Sequence, residues 1–190
     1  MFFFEFRKVS VYMKTMLIGY SACGKSSLAK YIAKLQDTKV LYMDKVHWLP
    51  GWIERNHSEE IEIVEEFMNN EPSWVIDGNY HKVLYDRRLQ EADEIVFLKL
   101  NRITCLKRAI HRYFENCGKS RESMTDGCPE KIDMDFIWWI LYEGRSLRKN
   151  KEYKRVIKEY ADKITVIRTQ KDLDRYYSRL RDNWPEQKVS

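Results

Sequence analysis

The chain has 190 residues and a net charge of +5, with 33% charged and 44% hydrophobic residues, a balance that fits one folded domain and excludes a disordered chain. No stretch approaches the ~20 consecutive apolar residues of a membrane span, and the opening Met1-Phe2-Phe3-Phe4-Glu5-Phe6-Arg7-Lys8 breaks at Glu5 before any signal-peptide pattern develops. Four cysteines without a CxxC pair read as reduced thiols of a cytoplasmic protein.

In chain order, residues 1–12 read as a dispensable extension, with Met13 opening the folding unit; the other reading makes residues 9–12 an added edge strand. Thr15-Met16-Leu17-Ile18 reads as a short buried strand, and residues 27–35 put Leu28, Ile32 and Leu35 on one helical face. Between them lies Gly19-Tyr20-Ser21-Ala22-Cys23-Gly24-Lys25-Ser26, which matches GxxxxGK[ST] in the strand–turn–helix setting that this pattern requires. The amides of Ser21, Ala22, Cys23 and Gly24 in the turn, and of Lys25, Ser26 and Ser27 at the helix start, suit a polyphosphate, which the helix dipole also favours. Gly19 and Gly24 permit backbone angles that a Cβ would oppose. Lys25 reaches the β- and γ-phosphates, and the Ser26 hydroxyl ligates Mg²⁺. Where a further glycine is usual, two residues before Gly24, this chain has Ala22, a residue small enough for the turn.

Val40-Leu41-Tyr42-Met43 predicts a second strand ending at Asp44. Residues 58–69 predict a helix with Ile61, Val64 and Met68 inward and Asn56 or Ser58 as its cap. Trp74-Val75-Ile76 predicts a third strand ending at Asp77-Gly78, residues 82–91 a weak helix, and Ile95-Val96-Phe97-Leu98 a fourth strand. Over 103–114 the spacing gives an amphipathic helix with Ile103, Leu106, Ile110 and Tyr113 on one face and Arg108 and Arg112 on the other. Residues 115–134 have no period and carry Gly118, Gly127 and Pro129, which marks a functional or mobile loop. An aromatic helix starts behind Asp133 or Asp135, residues 164–167 form a fifth strand, and Thr169 with Asp172 caps a last helix with Leu173, Tyr176 and Leu180 inward. This alternation implies a three-layer α/β/α fold over residues 13–185, with ligands at the carboxyl ends of a parallel sheet and a short tail at 186–190.

Asp44 and Asp77 both follow strands, so both open onto the edge that carries the glycine-bounded loop. Phosphoryl transfer needs acidic groups for a metal ion and for an acceptor hydroxyl. Asp77 is assigned with Ser26 to the metal and Asp44 to the acceptor, the reverse order being the other reading. Charge developing on the phosphoryl group calls for guanidinium groups that arrive when the site closes. Arg108 and Arg112 leading into the irregular loop, Arg121 within it, and Arg145 and Arg148 after it are the candidates. The basic runs that hold them, 99–121 and 145–158, suit an anionic ligand, nucleotide or nucleic acid. Cys23, at a helix start beside Lys25, is either an acidified thiol or a small turn residue; Cys117 and Cys128 with His111 make an incomplete zinc set.

Together, the loop at 16–28, Leu41-Tyr42-Met43-Asp44 before Trp48-Leu49-Pro50-Gly51-Trp52, Trp74-Val75-Ile76-Asp77-Gly78-Asn79-Tyr80, Asp126-Gly127-Cys128-Pro129-Glu130 and Trp138-Trp139 resemble the nucleoside-monophosphate-kinase branch of P-loop proteins. More narrowly, they resemble the bacterial topology-modulation proteins. The resemblance implies a five-stranded parallel sheet of order 2-3-1-4-5, ATP as the nucleotide, an acceptor-binding insertion at 45–73, a lid at 115–134, and Arg168-Thr169-Gln170 along the base. One departure is Asn79-Tyr80-His81, where such kinases carry an arginine for the acceptor's phosphate; Trp48 and Trp52 lie in the acceptor region instead. The expected activity is ATP- and Mg²⁺-dependent transfer of a phosphoryl group to a small-molecule or nucleotide acceptor. The alternatives are a nucleotide-gated DNA-binding regulator, for which no reading module is visible, and a plain NTPase switch.

Overall fold

A computed structural model describes residues 13–116 and 118–184. The readings placed on residues 1–12, on Cys117 and on the tail at 186–190 lie outside the described residues. Strand β1 (Lys14–Gly19) leads through the glycine-bounded turn into α1 (Lys25–Gln36), then β2 (Lys39–Tyr42) and α2 (Met43–His47). A small hairpin follows, β3 (Trp48–Leu49) with β4 (Ile53–Glu54), and then α3 (His57–Asn70) and β5 (Trp74–Asp77). The second half runs α4 (Tyr85–Glu91), β6 (Glu94–Leu98), α5 (Arg102–Glu115), α6 (Met134–Leu141), a 3₁₀ turn (Glu143–Arg145), α7 (Leu147–Glu159), β7 (Ile164–Ile167) and α8 (Gln170–Asn183).

The main sheet is wholly parallel, in the order β2-β5-β1-β6-β7. Counted within the sheet alone this is 2-3-1-4-5, because the hairpin strands β3 and β4 stand outside it. Central strands of such a sheet are covered on both faces, so their sequences are continuous apolar runs. Met16, Leu17 and Ile18 of β1 and Ile95, Val96, Phe97 and Leu98 of β6 are all buried. Register then fixes the edge that matters: Leu17 and Tyr42 both pair with Asp77, and Gly19 pairs with Leu98. Gly19 is required at that point, since a Cβ there would collide with the Leu98 carbonyl oxygen and its φ is +149°.

Capping chemistry sets the helix starts. Asn56 accepts from the Ser58 amide ahead of α3, Asp133 from Phe136 ahead of α6, and Thr169 and Asp172 form a reciprocal capping box on α8. α4 begins at Tyr85 rather than at Lys82, because Leu84 takes a left-handed conformation (φ 47°) that closes a turn first. The basic run at 145–158 is mostly a separate helix, α7, started by Ser146, which accepts from the Lys149 amide.

One reading is overturned. α5 buries Cys105 and Ala109, while Ile103 is 66% and Phe114 75% exposed and Ile110 is also exposed. The inward face therefore runs Cys105, Arg108, Ala109, Arg112, at i, i+3, i+4 and i+7. Of the predicted face Leu106 still packs against the core, so the reading is overturned at Ile103 and Ile110, and the inner side sets small residues and cations beside one leucine. Among the described residues no helix is long and apolar enough to cross a membrane.

Candidate functional site

Ala22 (φ 56°) and Gly24 (φ 97°) both take left-handed conformations, so the turn between β1 and α1 is tight. The first amides of α1 have no partner within the helix. Lys25 Nζ folds back to the carbonyls of Tyr20 (3.1 Å) and Gly19 (3.4 Å). Desolvation acts to lower the Lys25 pKa, but Cys23, Asp77 and Asp44 outweigh it and the net shift is upward, so the ammonium stays charged. Cys23 is not acidified: burial pushes its thiol pKa up despite Lys25, which leaves the plain turn-residue reading.

Asp77 closes β5 beneath this loop and is 6% exposed. Burial raises its pKa from 3.8 to about 6, against the lowering effects of Lys25 and of a hydrogen bond from Ser26. Its Oδ1 has no hydrogen-bond partner. An orphaned, buried carboxylate oxygen beside a serine hydroxyl is a donor set that fits a hard divalent cation such as Mg²⁺. Asp44, in the first turn of α2, accepts a 2.7 Å hydrogen bond from Tyr80 Oη and acts electrostatically on Lys25.

The corner after Asp77 is braced in ways the sequence did not disclose. Asn79 exchanges two hydrogen bonds with Gly19, its Oδ1 accepting from the amide (3.0 Å) and its Nδ2 donating to the carbonyl (2.8 Å). Arg88 is fully buried and donates to the carbonyls of Val83, Gly78, Asn79 and Tyr80 at 2.8–3.0 Å. Burial lowers its pKa to about 10. Those bonds hold Tyr80 in a left-handed conformation at φ 30°. Arg88→Met should therefore destabilise the protein by about 3–5 kcal/mol in urea unfolding, because several buried carbonyls lose their donors together.

The predicted arginines divide into two groups. Arg108 donates to the Cys23 carbonyl and, at 2.6 Å, to Gln170 Oε1, which ties the loop to the start of α8. Arg112 Nη2 on α5 and Arg121 Nε in the segment that follows each lie 2.6 Å from opposite oxygens of the buried Glu130, so two cations share one carboxylate. Arg112 acts electrostatically on Asp44 and Arg121 on Asp77, which places both near the acidic pair. Arg145 is engaged elsewhere: its guanidinium bonds to the carbonyls of Ile140 and Leu100 and lies 3.7 Å from the centroid of the Tyr20 ring. Arg148 is exposed on α7 and makes none of these contacts. The amides of Arg168 and Thr169 are taken by Asp172, so Gln170 is the one residue of that loop with a side-chain link to the site.

The segment between α5 and α6 lies against the hairpin at residues 125–128. Thr125 Oγ1 donates to the Trp48 carbonyl (2.6 Å), the Cys128 thiol to the Leu49 carbonyl (3.2 Å), and the Gly51 amide to the Gly127 carbonyl (3.0 Å). Met124 and Cys128 are buried by this contact, and Cys128's sulfur is occupied as a donor rather than held open for zinc. Trp48 meets Trp52 edge-on at 5.4 Å, and Lys131 lies over the Trp52 ring. The structure thus gathers the 19–26 loop, Asp44, Asp77, Arg108, Arg112, Arg121 and Gln170 at one edge. It adds Asn79, Tyr80, Arg88 and Glu130; Arg145 meets the loop only at the Tyr20 ring, and Arg148 is exposed on α7.

No family model matches the chain, and no curated protein matches it in sequence. Solved structures do match in fold. A shikimate kinase from Acinetobacter baumannii in complex with shikimate superposes with a TM-score of 0.55 at 14% identity, over 93% of this chain and 97% of that one. A shikimate kinase from Bacteroides thetaiotaomicron aligns over 90% and 97% at 14% identity, with a TM-score of 0.44. At this identity the likeness establishes the fold, a P-loop α/β architecture of the kind these kinases have.

Proposed function

We propose that this chain is a cytoplasmic ATP-dependent phosphotransferase that moves the γ-phosphoryl group of ATP to a small hydroxyl-bearing acceptor, in the topology-modulation branch of P-loop kinases. The observation that carries the reading is the buried Asp77 carboxyl with one oxygen unpartnered, beside Ser26 and Lys25 at the mouth of a tight βα turn. In this reading the amides of residues 21–27 receive the triphosphate, and Lys25 swings from the Gly19 and Tyr20 carbonyls onto its terminal phosphates. Ser26 and Asp77 hold Mg²⁺, whose chemistry is to neutralise charge on the phosphoryl oxygens. Asp44, oriented by Tyr80, receives the acceptor's hydroxyl proton.

Arg108 fixes the nucleotide end of the loop, and Arg112 and Arg121 supply one net positive charge above Glu130 to the transferring group. The lid, seated on the hairpin, keeps water from the reacting phosphorus. Trp48 and Trp52 give the acceptor side an aromatic wall, and the arginine nearest in sequence after Asp77-Gly78, Arg87, is paired with Glu65 and Glu91. A neutral hydroxyl compound fits that wall better than an acceptor already carrying phosphate. The nucleic-acid alternative draws no comparable support: Arg155 in the basic run is paired with Glu152, Glu159 and Asp86.

The test is a screen of small hydroxyl compounds and nucleosides with the wild-type protein, Mg²⁺ and γ-labelled ATP. Label should appear in one class of organic product. Label released only as inorganic phosphate would replace the kinase reading by the NTPase one, and calorimetry showing no heat with Mg-ATP would remove both.

A further inference from the structure

We infer that Trp139 is a positioning residue of the phosphate loop, one that holds the turn at Ala22 in the left-handed conformation a glycine would adopt unaided. The inference rests on the nucleotide-binding reading of that loop. Ala22 sits at φ 56°, a region that L-residues with a Cβ rarely occupy and that persists only where neighbours impose it. The residue next to it is gripped from outside the loop: Trp139 Nε1, on α6, donates to Ser21 Oγ at 2.9 Å across 118 residues of sequence.

The indole is itself held. Lys149 Nζ of α7 lies 3.4 Å from a ring centroid of Trp139. Gly144 in the 3₁₀ turn passes so close that a Cβ there would stand 3.3 Å from Nε1. The preceding loop residue is braced from the same side, with Tyr20 Oη donating to Asn150 Oδ1 at 2.7 Å and Arg145 over the Tyr20 ring. The segment after the lid therefore grips the two residues that precede the strained turn. This also gives Arg145 a place in the protein that is not a phosphoryl clamp.

The consequence is a coupling between Trp139 and the side chain at position 22. Mg-ATP binding by calorimetry should weaken about 3- to 10-fold in Trp139→Phe, which keeps an aromatic face for Lys149 and removes the N–H. Ser21→Ala, which removes the acceptor and leaves the indole, should weaken it similarly, and the double variant should be no weaker than the worse single one. Ala22→Gly should rescue: Trp139→Phe in the Ala22→Gly background should bind within twofold of Ala22→Gly alone. Trp139 is 40% exposed, so its variant should fold, with a melting temperature within a few degrees of wild type. Wild-type-like affinity in Trp139→Phe, or no rescue by Ala22→Gly, would overturn the inference. A wild-type protein that itself gives no heat with Mg-ATP would instead sink the nucleotide reading beneath it.

Discussion

Lys25→Ala is expected to cut ATP turnover by about 10²–10⁴-fold while the protein stays folded. The lysine's ammonium now rests on two loop carbonyls and faces Asp77 and Asp44. Its removal therefore acts twice: the γ-phosphoryl group loses its point charge, and Asp77 loses the cation that does most to hold its pKa down. Asp77 already titrates at about 6, so without Lys25 a larger share of it is protonated near neutrality and unable to hold a divalent ion. Lys25→Arg should restore little, because a planar guanidinium cannot take the place of a compact ammonium between the Gly19 and Tyr20 carbonyls. The measurement is phosphate transfer or release from ATP, with a thermal melt alongside. Undiminished turnover in a folded Lys25→Ala protein would reject the assignment of this loop.

The parts of the fold that were legible in the sequence are those whose cause is local. The runs at 16–18, 74–76 and 95–98 are apolar throughout because strands covered on both faces need no polar alternation. The turn at 19–26 declares itself through residue types that each have a separate geometric reason. Thr169 with Asp172 announces α8 because a capping box is complete within four residues. The α5 face was misread for an equally physical reason. Counting large aliphatics finds Ile103 and Ile110, which are exposed, but the inner side is built from Cys105, Leu106, Ala109 and two arginines.

What stayed hidden is everything held by partners distant in sequence. Asn79 meets Gly19 across 60 residues, and Trp139 meets Ser21 across 118. Arg88 looks like any exposed helical arginine until four carbonyls converge on it. Glu130, between Arg112 and Arg121, is a carboxylate that charge counting over 99–121 does not reach. Of five candidate arginines, Arg108, Arg112 and Arg121 reach the loop backbone or the acidic pair and Arg145 reaches the loop through the Tyr20 ring, while Glu130 offsets part of the charge of Arg112 and Arg121. Arg145 lies in a basic stretch too, but its partners are the Ile140 and Leu100 carbonyls and the Tyr20 ring, none of which its neighbours in sequence disclose.

Asp77→Asn is the second large effect, and its two consequences have opposite signs. The Asp77 carboxyl is held at about 6 in the folded chain against an ordinary 3.8, so the unfolded chain releases its proton first as pH rises. Between those values the native state binds the extra proton, and stability falls with rising pH. By pH 7 the buried carboxylate costs about 3 kcal/mol relative to acid conditions. Asn carries no charge there, so the variant without nucleotide should gain up to about 3 kcal/mol in urea unfolding at pH 7, and the gain should shrink toward zero near pH 4. The same change removes the anionic oxygen proposed for Mg²⁺ and should lower Mg-ATP turnover by about 10²-fold or more. In the wild type, turnover should fall as pH drops through about 6, and the fall should move to lower pH as Mg²⁺ is raised, since the cation competes with the proton for one oxygen. A scaffold carboxylate would behave otherwise: its amide variant would lose stability together with activity, and the acid limb would ignore magnesium. A site kept for binding a cation is strained when empty, so stability gained at the expense of turnover is the signature that separates the two roles.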